Sequence, residues 1–477
     1  MKLVVATLAS ASLALAFEPE WLEFKQKFGK SYKNAQEESH KYRNFLNNYL
    51  EIESHNADPV KSKYFRRAIN KFSDLSYEEF AATRLMRNQV FQKPKQEDVK
   101  GPAEWVYPNP DGVEFECPHT FEKDEDATIP EDYATHLDWR SAEHSPTGFV
   151  GVTPIKNQGA CGSCYTFSAV SAMEAPLCMT GAYDCENWVG MSEQQILNCG
   201  THINQHDVEY FEGHTEDYPD VNVDDLPETH EMPWYSFQGC YGGLQANVFE
   251  HVYNAGGLTC EHMAQYESGD ASAFPDNFWN VGECPYTHEN QFNFMNESSH
   301  GFVGKEICGT PSKNGNKDPE LIKQVIFEKG PVTAVFWVGE DFYTLSNDFT
   351  NIYVPGEGVC DGQTANHAVN IVGYGTDEVD GEDVDYWIVR NSWGADWADN
   401  GYVKVWRGEN TCNIEATVLY VHMQKDYDEI MPHDYDNSDD NDDDDNDDDD
   451  DNNDDNDNDA SPMLTFSLAT ILLANVL

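Results

Sequence analysis

The chain has 477 residues, more than one compact domain usually holds, and this predicts two or three parts. Its 86 acidic and 29 basic side chains give a formal charge of −57, which argues against nucleic acid as a partner because phosphates are bound by Lys and Arg. Aromatic residues make up 13% of the chain, enough to build large cores.

The N-terminus carries the pattern of a secretory signal peptide over residues 1–16. One early Lys precedes an apolar run that ends in Ala14-Leu15-Ala16, an A-x-A cleavage sequence, and the run is too short to span a bilayer. The alternative is a buried N-terminal strand. A signal peptide predicts a protein of the secretory pathway, extracellular or in a lysosome- or vacuole-like compartment, where its 12 cysteines favour disulfides.

Residues 17–87 predict helices, because apolar residues such as Phe45, Tyr49 and Ile52 recur at three- and four-residue steps. Residues 88–127 have no sustained period and contain several prolines, so we expect an exposed linker there.

Residues 128–424 form the predicted main body. An apolar helix begins at Cys164, and Pro176 should kink or end it. Strand-like runs follow later in the chain, which predicts an α+β fold. Two further stretches, near 200–239 and 266–307, predict insertions. Histidines in the first are irregularly spaced, so we expect a solvated loop, no metal site and no cofactor.

The C-terminus combines an acidic tail, residues 425–460, with an apolar segment, residues 461–477. Seventeen aspartates between 434 and 459 repel one another, and the tail is expected to be a disordered, solvated spacer. The apolar segment matches the removable end of a glycolipid-anchor signal, which would anchor the protein to a membrane through its C-terminus. The alternative is a frayed or weakly membrane-associated end.

The stretch NQGACGSCYTF, residues 157–167, raises three possibilities for its cysteines. A zinc site would need a second C-x-x-C or matched histidines, and a thioredoxin-like motif would need a preceding parallel strand; the sequence supports neither. We therefore expect Cys161 to be a half-cystine and Cys164 to be a nucleophile. Cys164 opens the apolar helix, whose N-terminus favours a thiolate.

Two later segments complete a pattern: NHAVNIVGYG at 366–375 and RNSWGADW at 390–397. With NQGACGSCYTF they resemble the three signature segments of papain-family, cathepsin L-like cysteine peptidases, over about residues 128–424. The resemblance implies a two-lobed fold in which a helical lobe faces a β-barrel-like lobe. The cleft between the lobes would bind an extended protein or peptide substrate.

The resemblance also implies roles for individual residues. Cys164 attacks the scissile carbonyl as a thiolate paired with His367, and Asn391 orients the imidazole. Gln158 and the backbone N–H of Cys164 form the oxyanion hole, while Trp393 shields the hydrogen bond between His367 and Asn391. By the same resemblance, we expect the pKa of the thiol to be depressed.

Further residues follow from the same resemblance. Those assigned to substrate binding are Gly242, Gly243, Leu244, Gln245, Ala365, Trp393 and Thr417. They predict a preference for apolar side chains at P2, the second residue before the cut. The implied disulfides are Cys161–Cys240, Cys199–Cys308 and Cys360–Cys412, and proximity alone suggests Cys178–Cys185 and Cys260–Cys284. Asn296 begins an N-x-S sequence and is an expected glycosylation acceptor.

The N-terminal helices resemble the cathepsin L-type propeptide. The matching helix positions are Glu37, Lys41, Phe45, Asn48, Ile52 and Asn56, and a second motif matches residues 68–74. The resemblance implies that this segment is an intramolecular inhibitor that runs backwards through the cleft, and that activation cuts within 88–130. Acid should weaken the contact as interface carboxylates lose their charge.

The sequence therefore predicts the secreted zymogen of a cysteine endopeptidase. Two alternatives stay open at this point. Tyr165, where tryptophan is commoner, and the insertions favour a dipeptidyl exopeptidase. A catalytically silent surface-binding homologue would require a missing catalytic residue, and none is missing from the motifs.

Overall fold

A computed structural model describes residues 17–86, 120–121, 128–200, 239–269, 300–303, 318–348 and 351–421. All of them lie within Met1–Asp434, the first of the two units into which the chain divides. The predicted signal peptide, acidic tail, apolar C-terminal segment and Asn296 lie outside the described residues, as do most of the linker and of the insertions. Within the described ranges, no helix has the length and apolar character needed to cross a membrane.

The N-terminal region is helical, as expected. Its helices are α1 Glu18–Lys27, α2 Ala35–Ala57 and α3 Tyr77–Arg84. The Asn34 side chain caps α2 by accepting hydrogen bonds from two backbone N–H groups, and Ser76 with Glu79 forms a capping box at the start of α3. The apolar cluster between α1 and α2 is built from Trp21, Phe24 and Phe45.

The body contributes further helices: α4 Glu131–Ala134, α5 Cys164–Met179, α6 Glu193–Gly200, α7 Gln245–Ala255 and α8 Pro319–Lys329. Nearly every residue of α5 is buried, in keeping with its continuous apolar sequence. Of the two outcomes predicted for Pro176, a kink or an end near residue 175, the end does not occur, because α5 continues to Met179. Pro176 lies in the last turn, where it removes one intrahelical hydrogen bond while burial holds the remaining residues helical.

The strands form one mixed sheet. They are β1 Thr120–Phe121, β2 Leu137–Asp138, β3 His300–Val303, β4 Val332–Phe336, β5 Ile352–Tyr353, β6 His367–Val379, β7 Glu382–Arg390, β8 Tyr402–Trp406 and β9 Val418–Val421. The order across the sheet is β1-β3-β9-β4-β6-β7-β8-β5, with β2 paired to β6. Asp380 and Gly381, both at positive φ, form the tight turn of the long β6–β7 hairpin.

The predicted linker contributes one short strand to this sheet. Thr120 and Phe121 form β1 and pair in parallel with β3. The segment 88–127, predicted to be an exposed linker, therefore includes two residues that pair with a strand of the body. A strand of two residues is too short to leave an alternating pattern in the sequence, so periodicity could not reveal it.

Helix α5 packs against strand β6 where the helical and sheet parts meet. The Ser168 hydroxyl donates to the Val369 carbonyl at 2.8 Å, and the Asn370 side chain donates to the Ser168 carbonyl at 2.8 Å. Beyond this junction, the large apolar core of the sheet includes the fully buried Trp139 and Trp387. The junction places the first residues of α5 and of β6 side by side.

Disulfides in the described residues join Cys161–Cys240, Cys178–Cys185 and Cys360–Cys412. Cys199 is also disulfide-bonded, and its predicted partner Cys308 lies outside the described residues. Cys260 is a free, buried thiol, so the predicted Cys260–Cys284 pair is wrong. The predicted pair rested only on closeness in sequence, whereas the fold pairs the backbone of Cys260 with that of Met191 through an isolated β-bridge.

Candidate active site

Cys164 is the first residue of α5 and carries a free thiol with no exposed surface. The loop before it is fixed at several points. The backbone N–H of Gln158 donates to the Ser392 carbonyl at 2.8 Å, and the N–H of Gly162 donates to the Cys240 carbonyl at 2.8 Å, beside the Cys161–Cys240 disulfide. The helix start is therefore held by both neighbouring segments.

His367 is the first residue of β6 and lies next to this thiol. The backbone N–H of Ala368 donates to Cys164 Sγ at 3.3 Å. On its other side, His367 Nε2 lies 2.8 Å from Asn391 Oδ1, and the indole of Trp393 lies 4.8 Å from the imidazole between ring centroids. His367 Nδ1 is buried, and the described part of the chain offers it no hydrogen-bond partner.

Gln158 reaches the same site with its side chain. Its Nε2 donates to the Cys161 carbonyl at 2.7 Å and to the Arg84 carbonyl at 2.8 Å. Its Oε1 accepts from the Ser392 hydroxyl at 2.7 Å, which determines which end of the amide faces the site. The structure thus brings Cys164, His367, Asn391 and Gln158 together. Sequence reasoning missed Ser392, although it lies inside the quoted RNSWGADW segment.

The end of the N-terminal region fills the cleft above these residues. The Arg84 carbonyl accepts a hydrogen bond from Gln158 Nε2, and the backbone N–H of Met86 donates to the Asn366 carbonyl at 2.8 Å. Leu85 and Met86 are each 2% exposed, so the segment is enclosed by the site. Cys164 has no exposed surface with residues 84–86 in this position. Asn366, next to His367 in the sequence, was also missed.

Burial shifts the pKa values of Cys164 and His367 in the directions that favour their neutral forms. Burial raises the pKa of the Cys164 thiol to about 12, and the backbone N–H of Ala368 opposes this only in part. Burial also lowers the pKa of His367 to about 4, against the hydrogen bond to Asn391. The expected depression of the thiol pKa is therefore wrong for the covered state, because desolvation outweighs the helix N-terminus.

The residues predicted to bind substrate differ in how tightly their surroundings hold them. A Cβ on Gly243 would lie 2.5 Å from the ring of Tyr165, so only glycine allows the backbone to lie there. Gln245 is 1% exposed, and its Nε2 donates to the Ala334 carbonyl at 3.1 Å. Thr417 lies near Gln245, because its carbonyl accepts a hydrogen bond at 3.3 Å from the N–H of Val335, the neighbour of Ala334.

The remaining predicted positions give a mixed lining. Gly242 has a φ of 137°, Leu244 is partly exposed, and Ala365 is 4% exposed. The Thr417 hydroxyl oxygen is buried without a partner among the described residues. These positions therefore combine apolar side chains with two polar ones, Gln245 and Thr417. Across the described ranges, no cluster of three or more His, Cys, Asp or Glu side chains suits a metal ion.

Comparisons with known proteins bear on the whole arrangement. The family model described as Papain family cysteine protease matches residues 133–422, and the model described as Cathepsin propeptide inhibitor domain (I29) matches residues 21–80. A cathepsin L-like peptidase from Aedes aegypti is 28% identical over 425 residues, covering 88% of this chain and 98% of the relative. Cathepsin L1 from Drosophila melanogaster is 29% identical over 420 residues, covering 87% and 88%.

Solved structures show the same fold. A digestive procathepsin L2 proteinase from the larval midgut of Tenebrio molitor has a TM-score of 0.57 at 23% identity, covering 85% of this chain and 99% of that one. A recombinant stem bromelain precursor has a TM-score of 0.55 at 19% identity, covering 86% and 100%. The predicted two-lobed α+β fold, preceded by a helical N-terminal region, is confirmed.

Proposed function

The chain belongs to the papain family of cysteine proteases and is a cathepsin L-like zymogen, and we propose that Cys164 cleaves peptide bonds with His367 as its acid–base partner. One observation carries the proposal. A free thiol lies 3.3 Å from the backbone nitrogen of the residue that follows His367, while His367 Nδ1 is buried without a hydrogen-bond partner among the residues that the structure describes. A nucleophile and a base facing each other would have this arrangement.

The proposed reaction follows from the positions of these groups. The Sγ of Cys164 forms a bond to the peptide carbonyl carbon, and the resulting oxyanion accepts hydrogen bonds from Gln158 Nε2 and the N–H of Cys164. His367 protonates the departing amine, leaving an acyl-enzyme. Water, deprotonated by His367, then hydrolyses the thioester and releases the acid. Asn391 holds Nε2, so that Nδ1 remains directed at the sulfur.

Latency, on this proposal, has an electrostatic part as well as a steric one. Residues 84–86 exclude water from Cys164 and His367, and the resulting desolvation raises the thiol pKa and lowers the imidazole pKa. Their removal re-solvates the site and lets a thiolate–imidazolium pair form. The propeptide would therefore suppress the nucleophile's charge in addition to blocking substrate.

Acid activation is supported by ion pairs between the propeptide and the body. Lys63 Nζ lies 2.7 Å from Glu382 Oε2, and the hydrogen bond from Lys63 lowers the pKa of Glu382. A carboxyl with a depressed pKa stabilises the docked state above its free pKa, and that contribution is lost as the pH falls through the depressed value. Lys71 makes a second ion pair between the propeptide and the body, with Asp396. Processing rates that stayed flat between pH 7 and 4 would exclude this trigger.

For specificity, we propose a preference for Leu, Val or Phe at P2 over Arg. Ala365 and Leu244 supply apolar surface, whereas neither Gln245 nor Thr417 carries the negative charge that an arginine would need. A series of fluorogenic dipeptides in which arginine is clearly best at P2 would refute the preference.

The boundaries and the compartment are proposed from the sequence. The signal pattern over 1–16 and the described disulfides support a secretory route, with extracellular or lysosome-like delivery. Activation would cut within 88–130 and release a mature body of about residues 128–424. Protein or peptide substrates would be cleaved internally.

The decisive experiment labels the full chain with an epoxide inhibitor of thiol proteases before and after acidification. Wild type should be labelled strongly only after processing, and Cys164→Ala should never be labelled. Labelling of Cys164→Ala at the wild-type rate would refute the proposed nucleophile. Digestion of matched peptides with free and blocked N-termini separates an endopeptidase, which cleaves both, from a dipeptidyl exopeptidase.

A further inference from the structure

The oxyanion hole of the proposed mechanism is assembled from two donors that no regular element connects. Gln158 Nε2 comes from a loop, and the backbone N–H of Cys164 comes from the first residue of α5. The intervening residues include Gly159, which has a φ of +61°. A loop of this kind keeps a fixed distance between the donors only if something outside it holds both ends.

The hydroxyl of Tyr266 meets both ends of that loop. It lies 2.8 Å from the Gln158 carbonyl oxygen and 2.7 Å from Ser163 Oγ. A carbonyl can only accept, so the Tyr266 proton is donated to Gln158, and Ser163 must donate its own proton to the Tyr266 oxygen. One hydroxyl therefore connects the residue that precedes Cys164 with the backbone of Gln158.

The contact between Ser163 and Tyr266 takes the place of a capping hydrogen bond at the start of α5. Serine is a preferred N-cap residue, because its hydroxyl usually accepts a hydrogen bond from the first turn of the helix. Ser163 is the N-cap of α5, yet its side chain makes no capping hydrogen bond. Its hydroxyl is directed to Tyr266 instead, so it does not compete for the N–H groups at the start of α5.

Tyr266 is itself held firmly. Its backbone N–H donates to Glu261 Oε1 at 2.9 Å, and its ring packs edge-on against Phe167 of α5 with 4.8 Å between centroids. Residues 266–269 contact the loop before Cys164 at a second point, since the Ala160 N–H donates to the Gly269 carbonyl at 2.9 Å. Part of the Tyr266 residue reaches the surface, but burial of the hydroxyl raises its pKa and keeps it protonated.

We propose that Tyr266 is a positioning residue that sets the distance between the two oxyanion donors, Gln158 Nε2 and the N–H of Cys164. The inference rests on the proposed function and adds a residue that touches neither substrate nor the reacting sulfur. Its effect should be confined to steps in which negative charge develops on the carbonyl oxygen.

The test replaces Tyr266 by phenylalanine in the full chain, which is then processed to completion, in trans by wild-type enzyme if necessary, and titrated for active sites. We expect kcat to fall about tenfold with KM within twofold, a fraction of the roughly 10²–10³-fold cost of losing one donor entirely. A peptide aldehyde, whose tetrahedral adduct carries the same oxygen, should bind about tenfold more weakly. Alkylation of Cys164 by iodoacetamide, which forms no oxyanion, should proceed at the wild-type rate.

Matched variants separate positioning from general destabilisation. Tyr374→Phe removes another buried hydroxyl that donates to a backbone carbonyl, that of Tyr133 at 2.9 Å, and should leave all three measurements within twofold. In a Gln158→Ala background, Tyr266→Phe should lower kcat less than threefold, because the donor it positions is gone. If Tyr266→Phe does not fold, Ser163→Ala breaks the same chain of hydrogen bonds and should weaken aldehyde binding at least threefold.

Several outcomes would overturn the inference. The first is a kcat and an aldehyde affinity for Tyr266→Phe that match those of Tyr374→Phe. The second is a fall in kcat on Tyr266→Phe that is as large in the Gln158→Ala background as in wild type. The third is a fall in the alkylation rate of Cys164 as large as the fall in kcat. Failure of the proposed function looks different: Cys164→Ala would remain active, or Gln158→Ala would have wild-type kcat whatever stands at position 266.

Discussion

Phe80 makes the contact on which latency should depend most. It has no exposed surface, and its ring lies between the propeptide and the body. Tyr343 stacks on it at 4.7 Å between centroids, Trp393 meets it edge-on at 5.0 Å, and Phe72 lies at 5.1 Å on the propeptide side. Because Trp393 also covers His367, removal of the Phe80 ring should loosen docking directly at the active site.

The magnitude follows from these contacts. Truncation of a fully buried phenylalanine to alanine costs about 3–5 kcal/mol. Two of its three aromatic partners belong to the body, so we assign most of the loss, about 3 kcal/mol, to docking. At about 1.4 kcal/mol per factor of ten, Phe80→Ala should raise the population of the open, undocked state about 100-fold.

The assay is the labelling rate of the intact, unprocessed chain by an epoxide inhibitor at neutral pH, where labelling reports the open population. Phe80→Ala should be labelled about 100-fold faster than wild type. Leu50→Ala, which truncates an apolar residue of α2 that is 39% exposed, should stay within twofold. A Phe80→Ala rate less than threefold above wild type would refute this account of docking.

Other predictions test the remaining parts of the molecule. Gln158→Ala should lower kcat of the processed enzyme about 10²–10³-fold with a small change in KM, and a loss below threefold in steady-state kinetics would contradict its role. His55, whose ring nitrogen lies 3.0 Å from the Phe65 carbonyl, has a pKa lowered by burial. The undocked, unfolded propeptide therefore binds more protons below about pH 6.5, and propeptide stability should fall as the pH drops from there. His55→Gln keeps a donor for Phe65 and should shift the midpoint of acid processing to lower pH; an unchanged profile would exclude the histidine. Gln245→Leu should release the Ala334 carbonyl and raise kcat/KM for Leu over Gln at P2 severalfold, and peptide series with unchanged ratios would contradict the pocket assignment.

The residues of the site that lie in short contiguous motifs could be predicted from the sequence. Cys164, His367 and Asn391 each lie at the boundary of a regular element, so their motifs and their elements are recognised together. The general α+β architecture follows from the same reasoning, because an apolar helix precedes a series of strand-like runs.

Features that depend on contacts between distant segments could not be predicted in the same way. The free thiol of Cys260 and the continuation of α5 past Pro176 both depend on burial and packing, which a local pattern does not report. The hydroxyl of Tyr266 bonds to residues more than 100 positions away, and no motif marks it. The direction of the Cys164 pKa shift also depends on the burial of the thiol, which no motif reports.

The central claim is that Cys164 and His367 are held neutral under the propeptide and become an ion pair once it leaves. The most direct test is the pH dependence of Cys164 alkylation by iodoacetamide, measured on the intact zymogen and on the processed enzyme. The account predicts a thiolate that persists in the processed enzyme well below pH 7 and is lost in His367→Ala. It predicts no comparable reactivity in the zymogen near neutral pH, where burial raises the thiol pKa to about 12. Superimposable profiles for the two forms, or a processed profile indifferent to His367, would contradict it.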